Sequence, residues 1–288
     1  MMQNLDLTSA TTAEAEVRRR VAEAQRVVIK VGTSSITHTN GRANLAMLER
    51  LCWAIVNELN REREVILVTS GAIAVGMGRL QLTERPTNIR EKQALAAVGQ
   101  CDLMNIYSRI MNMFGHTVAQ ILLTKDDIED ELTRTNVTNT FEALLERGVL
   151  PIVNENDTVS TLEVWHNGSF GDNDTLSAHV ARVVGADLLI LLSDIDGLYA
   201  RDPRLEPDAE LLTFIPTLTP DIMSCATSSS SSKRGTGGMR TKLLAAEMAT
   251  AAGIDMVIAN GNRPENITGI LEGEGLGSLF PRKGTVME

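Results

Sequence analysis

Four short runs of large aliphatic residues limit what this 288-residue chain can fold into. Val27-Val28-Ile29-Lys30-Val31, Val65-Ile66-Leu67-Val68, Leu188 to Leu192 and Ile254 to Ala259 are apolar at almost every position. A strand with one wet face alternates between apolar and polar side chains. A continuous run needs cover on both faces, which is the pattern of a buried parallel strand. Between the first two runs, Leu45, Leu48, Leu51, Ile55 and Leu59 recur at helical spacing. Parallel neighbours need such crossovers, so the order of elements predicts an α/β fold: a mostly parallel sheet with helices on both sides. An aromatic content of 3% beside 43% hydrophobic residues argues in the same direction and against an all-β sandwich.

The remaining elements follow from periodicity and punctuation. Helical patterns cover about 88–114, a strand runs from Thr117 to Leu123, and a helix over about 135–147 stops at Gly148. Val149 to Val153 is a strand whose Pro151 predicts an irregular start. Asp172-Asn173-Asp174 introduces a helix over about 175–184, another begins near Met239, and Pro264 opens the final one after Ile254 to Ala259, the last clear strand. Ser228 to Ser232 is a low-complexity serine run. Residues 1–12 are a polar tail, and 13–24 form a short helix with its charges facing water, with Thr11 and Glu14 at capping-box spacing. The expected organisation is an accessory extension over 1–24 and one continuous domain over 25–288.

A formal charge of −10 excludes general attraction to nucleic acid or an anionic membrane, so any phosphate site must be organised locally. Cys52, Cys101 and Cys225 lie far apart, as do His38, His116, His166 and His179, which argues against a disulfide or a zinc site. Charged residues interrupt Ala13 to Gln25, so this stretch is neither a signal peptide nor a membrane span, and a cytoplasmic protein is expected.

Ligands in open parallel sheets bind beyond the carboxyl ends of the strands, and the polar clusters of this chain occur there. Lys30-Val31-Gly32-Thr33-Ser34 puts a lysine beside a glycine turn whose N–H groups can approach an anion, although a solvated lysine before an ordinary turn has the same sequence. Gly235-Thr236-Gly237-Gly238-Met239-Arg240-Thr241-Lys242 opens a helix whose N-terminal dipole favours phosphate, with Lys242 one turn inside. A flexible linker joined to a capped helix would also read this way. Asn154-Glu155-Asn156-Asp157 and Asp172-Asn173-Asp174 bring amides and carboxylates that could recognise an ammonium group and hold a lysine in place. Ser70-Gly71-Ala72-Ile73-Ala74 could offer a hydroxyl or N–H groups to a carboxylate. No base accompanies the serine as a nucleophile's partner.

In order along the chain, these five motifs resemble the glutamate 5-kinases of the amino acid kinase family, and Leu95-Ala96-Ala97-Val98-Gly99-Gln100 adds a sixth. The resemblance covers about 26–272 and implies a three-layer α/β/α sandwich around an open central sheet. It also implies ATP with Mg²⁺ as phosphate donor, L-glutamate as acceptor, and glutamyl 5-phosphate as product in the first step of proline biosynthesis. Carried over by position, Ser70, Asp157 and Asn173 would hold glutamate. Lys30, Ser193, Asp194, Thr236, Gly237, Gly238, Met239, Arg240, Thr241 and Lys242 would lie along the nucleotide, with Lys30 and Lys242 catalytic and Asp174 orienting both; no residue is assigned as a metal ligand. A homo-oligomer, feedback inhibition by proline and a downstream glutamyl phosphate reductase are further implications. Two departures stand out: the sequence stops at Glu288 without the C-terminal PUA domain of many bacterial relatives, and the 158–171 loop is longer than in compact members.

A glutamate side chain is ionised at neutral pH and can attack phosphorus without a general base, so catalysis reduces to positioning and charge stabilisation. The alternatives are another amino acid kinase, such as an acetylglutamate kinase, and a non-catalytic sensor of amino acids or nucleotides. A carboxylate at Asp157 favours an acceptor with a free ammonium.

Overall fold

The structure is a computed structural model and describes residues 7–159, 173–225 and 238–284. β1 (Arg26–Val31), β2 (Glu64–Thr69), β3 (Val118–Leu123), β4 (Leu150–Glu155), β5 (Leu188–Ser193), β6 (Asp255–Asn260) and β7 (Ser278–Phe280) form one sheet in the order β3-β4-β2-β1-β5-β6-β7. Every pairing is parallel except β6 with β7. β1 is central: the chain leaves it for β2 on one side and returns beside it as β5, which makes a topological switch point at its carboxyl end.

Side chains that alternate along each strand build two cores. Val27, Ile29 and Val31 face α1 (Leu7–Ala22), α3 (Leu45–Leu59), α5 (Ile89–Met113) and α11 (Asn266–Leu271). Val28, Ile66, Val68 and Leu189 face α7 (Glu131–Leu145), α8 (Asn173–Val183) and α10 (Met239–Ala251). Lys30 has the same parity as Val28, so its side chain goes toward α8 and α10. The remaining helices are α2 (Thr33–Ile36), α4 (Ala72–Arg79), α6 (Lys125–Glu129) and α9 (Pro220–Cys225). None of the described helices is long and apolar enough to cross a membrane.

α4 and α5 cross with their backbones in contact. A Cβ at Gly99 would lie 1.8 Å from the Ala72 carbonyl oxygen, and one at Gly76 would lie 2.1 Å from that of Leu95. Only glycine permits this approach. Gly71, at φ +97°, turns the chain from β2 directly into α4.

Several expectations need correction. α1 begins at Leu7, so Thr11 lies inside the helix and does not cap it. Its charges do not all face water. Val17 and Val21 enter the core, Arg18 donates to the Thr213 and Glu274 carbonyls (3.1 and 3.3 Å), and Arg20 clasps the buried Asp255 through two bonds of 2.7 Å. α7 starts four residues earlier than its pattern suggests, because Asp130 caps it by accepting from Thr133 N at 2.8 Å. Pro264 sits in a turn before α11, and β7 follows β6 as an additional strand. The irregular start of β4 is present: Pro151 faces Ala119 of β3, and pairing with β2 begins only at Ile152.

The amino ends of the strands carry their own charge cluster. Arg26 donates to Glu64 at 2.6 Å and to both oxygens of Glu142 at 2.6 and 3.0 Å. Asp187 accepts the backbone N–H groups of Gln25 and Arg26, each at 2.9 Å. The bond to Glu142 is the largest influence holding the Arg26 guanidinium further toward its charged form than usual, against the opposing effect of burial.

Candidate active site

The carboxyl end of β1 brings together the two lysines singled out from the sequence. Asp174 is completely buried in the first turn of α8, where the helix dipole favours a carboxylate. Its Oδ1 accepts from Lys30 Nζ, and its Oδ2 accepts from Lys242 Nζ at 3.0 Å and from Thr241 Oγ1 at 2.9 Å. Lys30 and Lys242 are themselves only 4% and 8% exposed. Lys242 reaches inward because it shares the buried side of α10 with Met239, Leu243 and Ala246.

Within this network of described residues, one carboxylate stands between two ammonium groups in a desolvated place. Buried ammonium groups are costly unless anions pair with them, so the site is suited to an anionic ligand. Burial by itself pushes the Asp174 carboxyl up, but the attraction and hydrogen bonds of both lysines hold it well below the usual carboxylate range. The aspartate therefore stays ionised and keeps the lysines in position.

The second group lies across β2. A cavity of about 620 Å³ opens beyond the carboxyl ends of β2 and β4, with Ser70, Gly71, Asn154, Asp157 and Asn173 in its wall. Asn173 Nδ2 donates toward Ser70 Oγ at 2.8 Å, Asn154 Oδ1 at 2.9 Å and Thr69 O at 3.0 Å, so three acceptors share two hydrogens. Its Oδ1 is buried and has no hydrogen-bond partner among the described residues. An unmet buried acceptor costs about 1–3 kcal/mol, which a ligand donor can recover. Asn173 and Asp174 are consecutive, so α8 carries one residue of each group at its start.

The other nominated residues fall on the far side of β1. Ser193 ends β5 and Asp194 follows it, and the Ser193 hydroxyl donates to Asp194 at 3.2 Å. Gly238 precedes α10 in an extended conformation; Met239 is buried in the core, and Arg240 is exposed. Thr236 and Gly237 lie outside the described residues, as do the serine run and most of the 158–171 loop. The structure thus joins Lys30, Asp174, Thr241 and Lys242 in one network. It joins Ser70 and Asn173 in another, with Asp157 on the same cavity wall.

Sequence reasoning gave several neighbours no individual role, and named Asn154 only as part of a polar cluster. Asn154 is 1% exposed and receives the Asn173 bond, while its own Nδ2 donates to Gln100 Oε1 at 2.9 Å. Tyr107 and Thr69 share a buried hydrogen bond of 2.9 Å directly beneath Ser70. His38, Arg42 and Arg85 also line the cavity. An asparagine inside an apolar strand and a glutamine at the end of a quoted motif were the available signals.

With this geometry in place, the comparisons with known proteins identify the class. Residues 25–260 match the amino acid kinase family, and the chain belongs to it. A glutamate 5-kinase of Clostridium perfringens is 51% identical over 267 residues, covering 93% of this chain and 99% of the relative. A glutamate 5-kinase of Listeria monocytogenes is 49% identical over the same length, covering 93% and 96%. Among solved structures, a carbamate kinase from Giardia lamblia bound to AMP-PNP superposes with a TM-score of 0.62 at 16% identity, covering 91% of this chain and 100% of that one. An isopentenyl phosphate kinase gives 0.61 at 19%, covering 88% and 99%. These two share the three-layer fold.

Proposed function

We propose that this chain transfers the terminal phosphate of ATP to the side-chain carboxylate of L-glutamate, forming L-glutamyl 5-phosphate and ADP in the first step of proline biosynthesis. The observation that carries this reading is the buried Asp174 carboxylate shared between Lys30 and Lys242, beside a cavity walled by Ser70, Asp157 and Asn173. The kinase unit is assigned to 25–288, with 1–24 as an extension.

Glutamate is assigned to the cavity. Its carboxylate oxygen attacks the γ-phosphorus, the bond to the β,γ-bridging oxygen breaks, and ADP leaves with that electron pair. No base is needed, because the attacking group is already ionised above a pKa of about 4.3. Lys30 and Lys242 stabilise charge on the migrating phosphoryl group, and Asp174 sets their positions. Asp157 and the free Oδ1 of Asn173 suit the α-ammonium, and Ser70 contributes its hydroxyl.

The nucleotide is assigned to the opposite side of β1, along Ser193, Asp194 and the segment from Thr236 to Lys242, Arg240 included. Met239 can contribute there only through its backbone, since its side chain is in the core. The Thr241 hydroxyl is engaged with Asp174 and the Gly238 carbonyl (2.8 Å), which suits a role in shaping the turn. Mg²⁺ fits as an ion carried by phosphate oxygens and water, because both oxygens of the nearest buried carboxylate are taken by lysines. When bound, it would neutralise phosphate charge. A cytoplasmic homo-oligomer, inhibited by proline and supplying a glutamyl phosphate reductase with its labile product, completes the reading.

The test is hydroxamate formation from ATP, hydroxylamine and glutamate. Glutamate-dependent product is the expected result. A preference for N-acetylglutamate would move the chain to the acetylglutamate kinases, and nucleotide binding without product would make it a sensor.

A further inference from the structure

Gln100 touches neither the lysine network nor the cavity, yet it ends a chain of side-chain amides that reaches Asn173. It sits in α5, 8% exposed, and its Nε2 lies 3.4 Å from Gln120 Oε1 on the edge strand β3. Its Oε1 accepts from Asn154 Nδ2 at 2.9 Å, and Asn154 Oδ1 accepts from Asn173 Nδ2 at 2.9 Å.

An amide has one accepting and one donating end, so each link fixes the next. With Gln100 accepting, Asn154 must present its oxygen to the cavity side. That oxygen also takes the Glu155 N–H at 2.9 Å. Asn173, which lines the cavity, then turns its nitrogen inward, where Thr69 O and Ser70 Oγ accept it as well, and its Oδ1 is left as a buried acceptor with no partner among the described residues. If Asn154 were flipped, its amide nitrogen would face that of Asn173; to pair with it, Asn173 would have to flip as well, giving up its bond to Thr69 O and presenting a donor to the ligand.

We propose that Gln100 is a positioning residue for acceptor selectivity: through Asn154, it holds Asn173 with its oxygen toward the α-ammonium of the substrate. This rests on the glutamate reading above. Gln100 does not contact substrate, and its effect is confined to the ammonium end of the acceptor. An amino acid is therefore favoured over a plain dicarboxylate, while nucleotide binding is independent of the relay.

The experiment compares kcat/KM for L-glutamate and for glutarate, which has both carboxylates but no ammonium, in the purified full-length chain. Gln100→Met removes the relay's acceptor at similar volume; loss of one oriented acceptor for an ammonium should lower the glutamate-to-glutarate ratio about tenfold or more, with KM for ATP unchanged. Gln100→Glu keeps an acceptor for Asn154 and should hold the ratio within about threefold of the unsubstituted chain. Gln100→Leu carries the same expectation as Met should the Met variant fail a thermal-melt check. An unchanged ratio in the folded Met or Leu variant, or an equal fall for both acceptors, would overturn the relay. No turnover of glutamate by the unsubstituted chain would instead remove the functional reading before any variant was measured.

Discussion

The two ends of the sheet solve opposite charge problems. At the amino ends of the strands, one guanidinium, Arg26, is shared by the carboxylates of Glu64 and Glu142. At the carboxyl ends, one carboxylate, Asp174, is shared by the ammonium groups of Lys30 and Lys242. The lower cluster has an excess of negative charge, but its carboxylates are 40% exposed and water can solvate them. The upper cluster sets two ammonium groups on one carboxylate in an almost dry place, which suits it to an incoming anion. The lower cluster joins elements together, whereas the upper one is fit to receive phosphate.

The largest effect should come from Asp174→Asn. Without the carboxylate, the two lysines face each other in a dry site, so turnover should fall about a thousandfold, with a stability loss of about 3–5 kcal/mol in denaturant titration. Activity within tenfold of the unsubstituted chain would erase the distinction between the two ends. Lys242→Met leaves Asp174 paired with Lys30, so the fold should survive while kcat drops about a hundredfold. Normal kinetics in that variant would reject the assignment.

Arg26→Met provides the contrasting case. Stability should fall by about 2 kcal/mol, between the values for surface and buried pairs, with kcat unchanged within error. A collapse in kcat there would mean that the lower cluster also acts on the chemistry. The smallest effect concerns pH. The Asp174 carboxyl is depressed in the folded protein, so its stabilising contribution is present above the unfolded value of about 3.9 and is lost only as pH falls through the lower folded value. The acid limb of kcat/KM should therefore follow the acceptor's own carboxylate, near pH 4.3, and not Asp174. A limb that stays fixed when the acceptor's pKa is changed would contradict this.

How much of this was legible in the sequence depended on the length and continuity of each signal. β1, β2, β5 and β6 are continuous aliphatic runs because they are covered on both faces. β7 has three residues between a glycine and a proline, too few for any period to register. α1 is polar along most of its length and is anchored through Val17, Val21 and two arginines whose partners lie 195 to 256 positions away. In the site, Lys30 and Lys242 could be named because one precedes a glycine turn at a strand end and the other follows a glycine-rich run at a helix start. The Gln100–Asn154–Asn173 chain could not, because its links span 54 and 19 positions and depend on which way each amide points.

The glycine contact between α4 and α5 also bears on motion. Ser70 and Gly71 lead straight into α4, and α4 has no slack against α5, since even one methyl group at Gly99 would strike the Ala72 carbonyl. If this wall of the cavity closes over a bound acceptor, the two helices should swing as a single lever. Its stiffness would be set far out along the 25 residues of α5, well away from the chemistry.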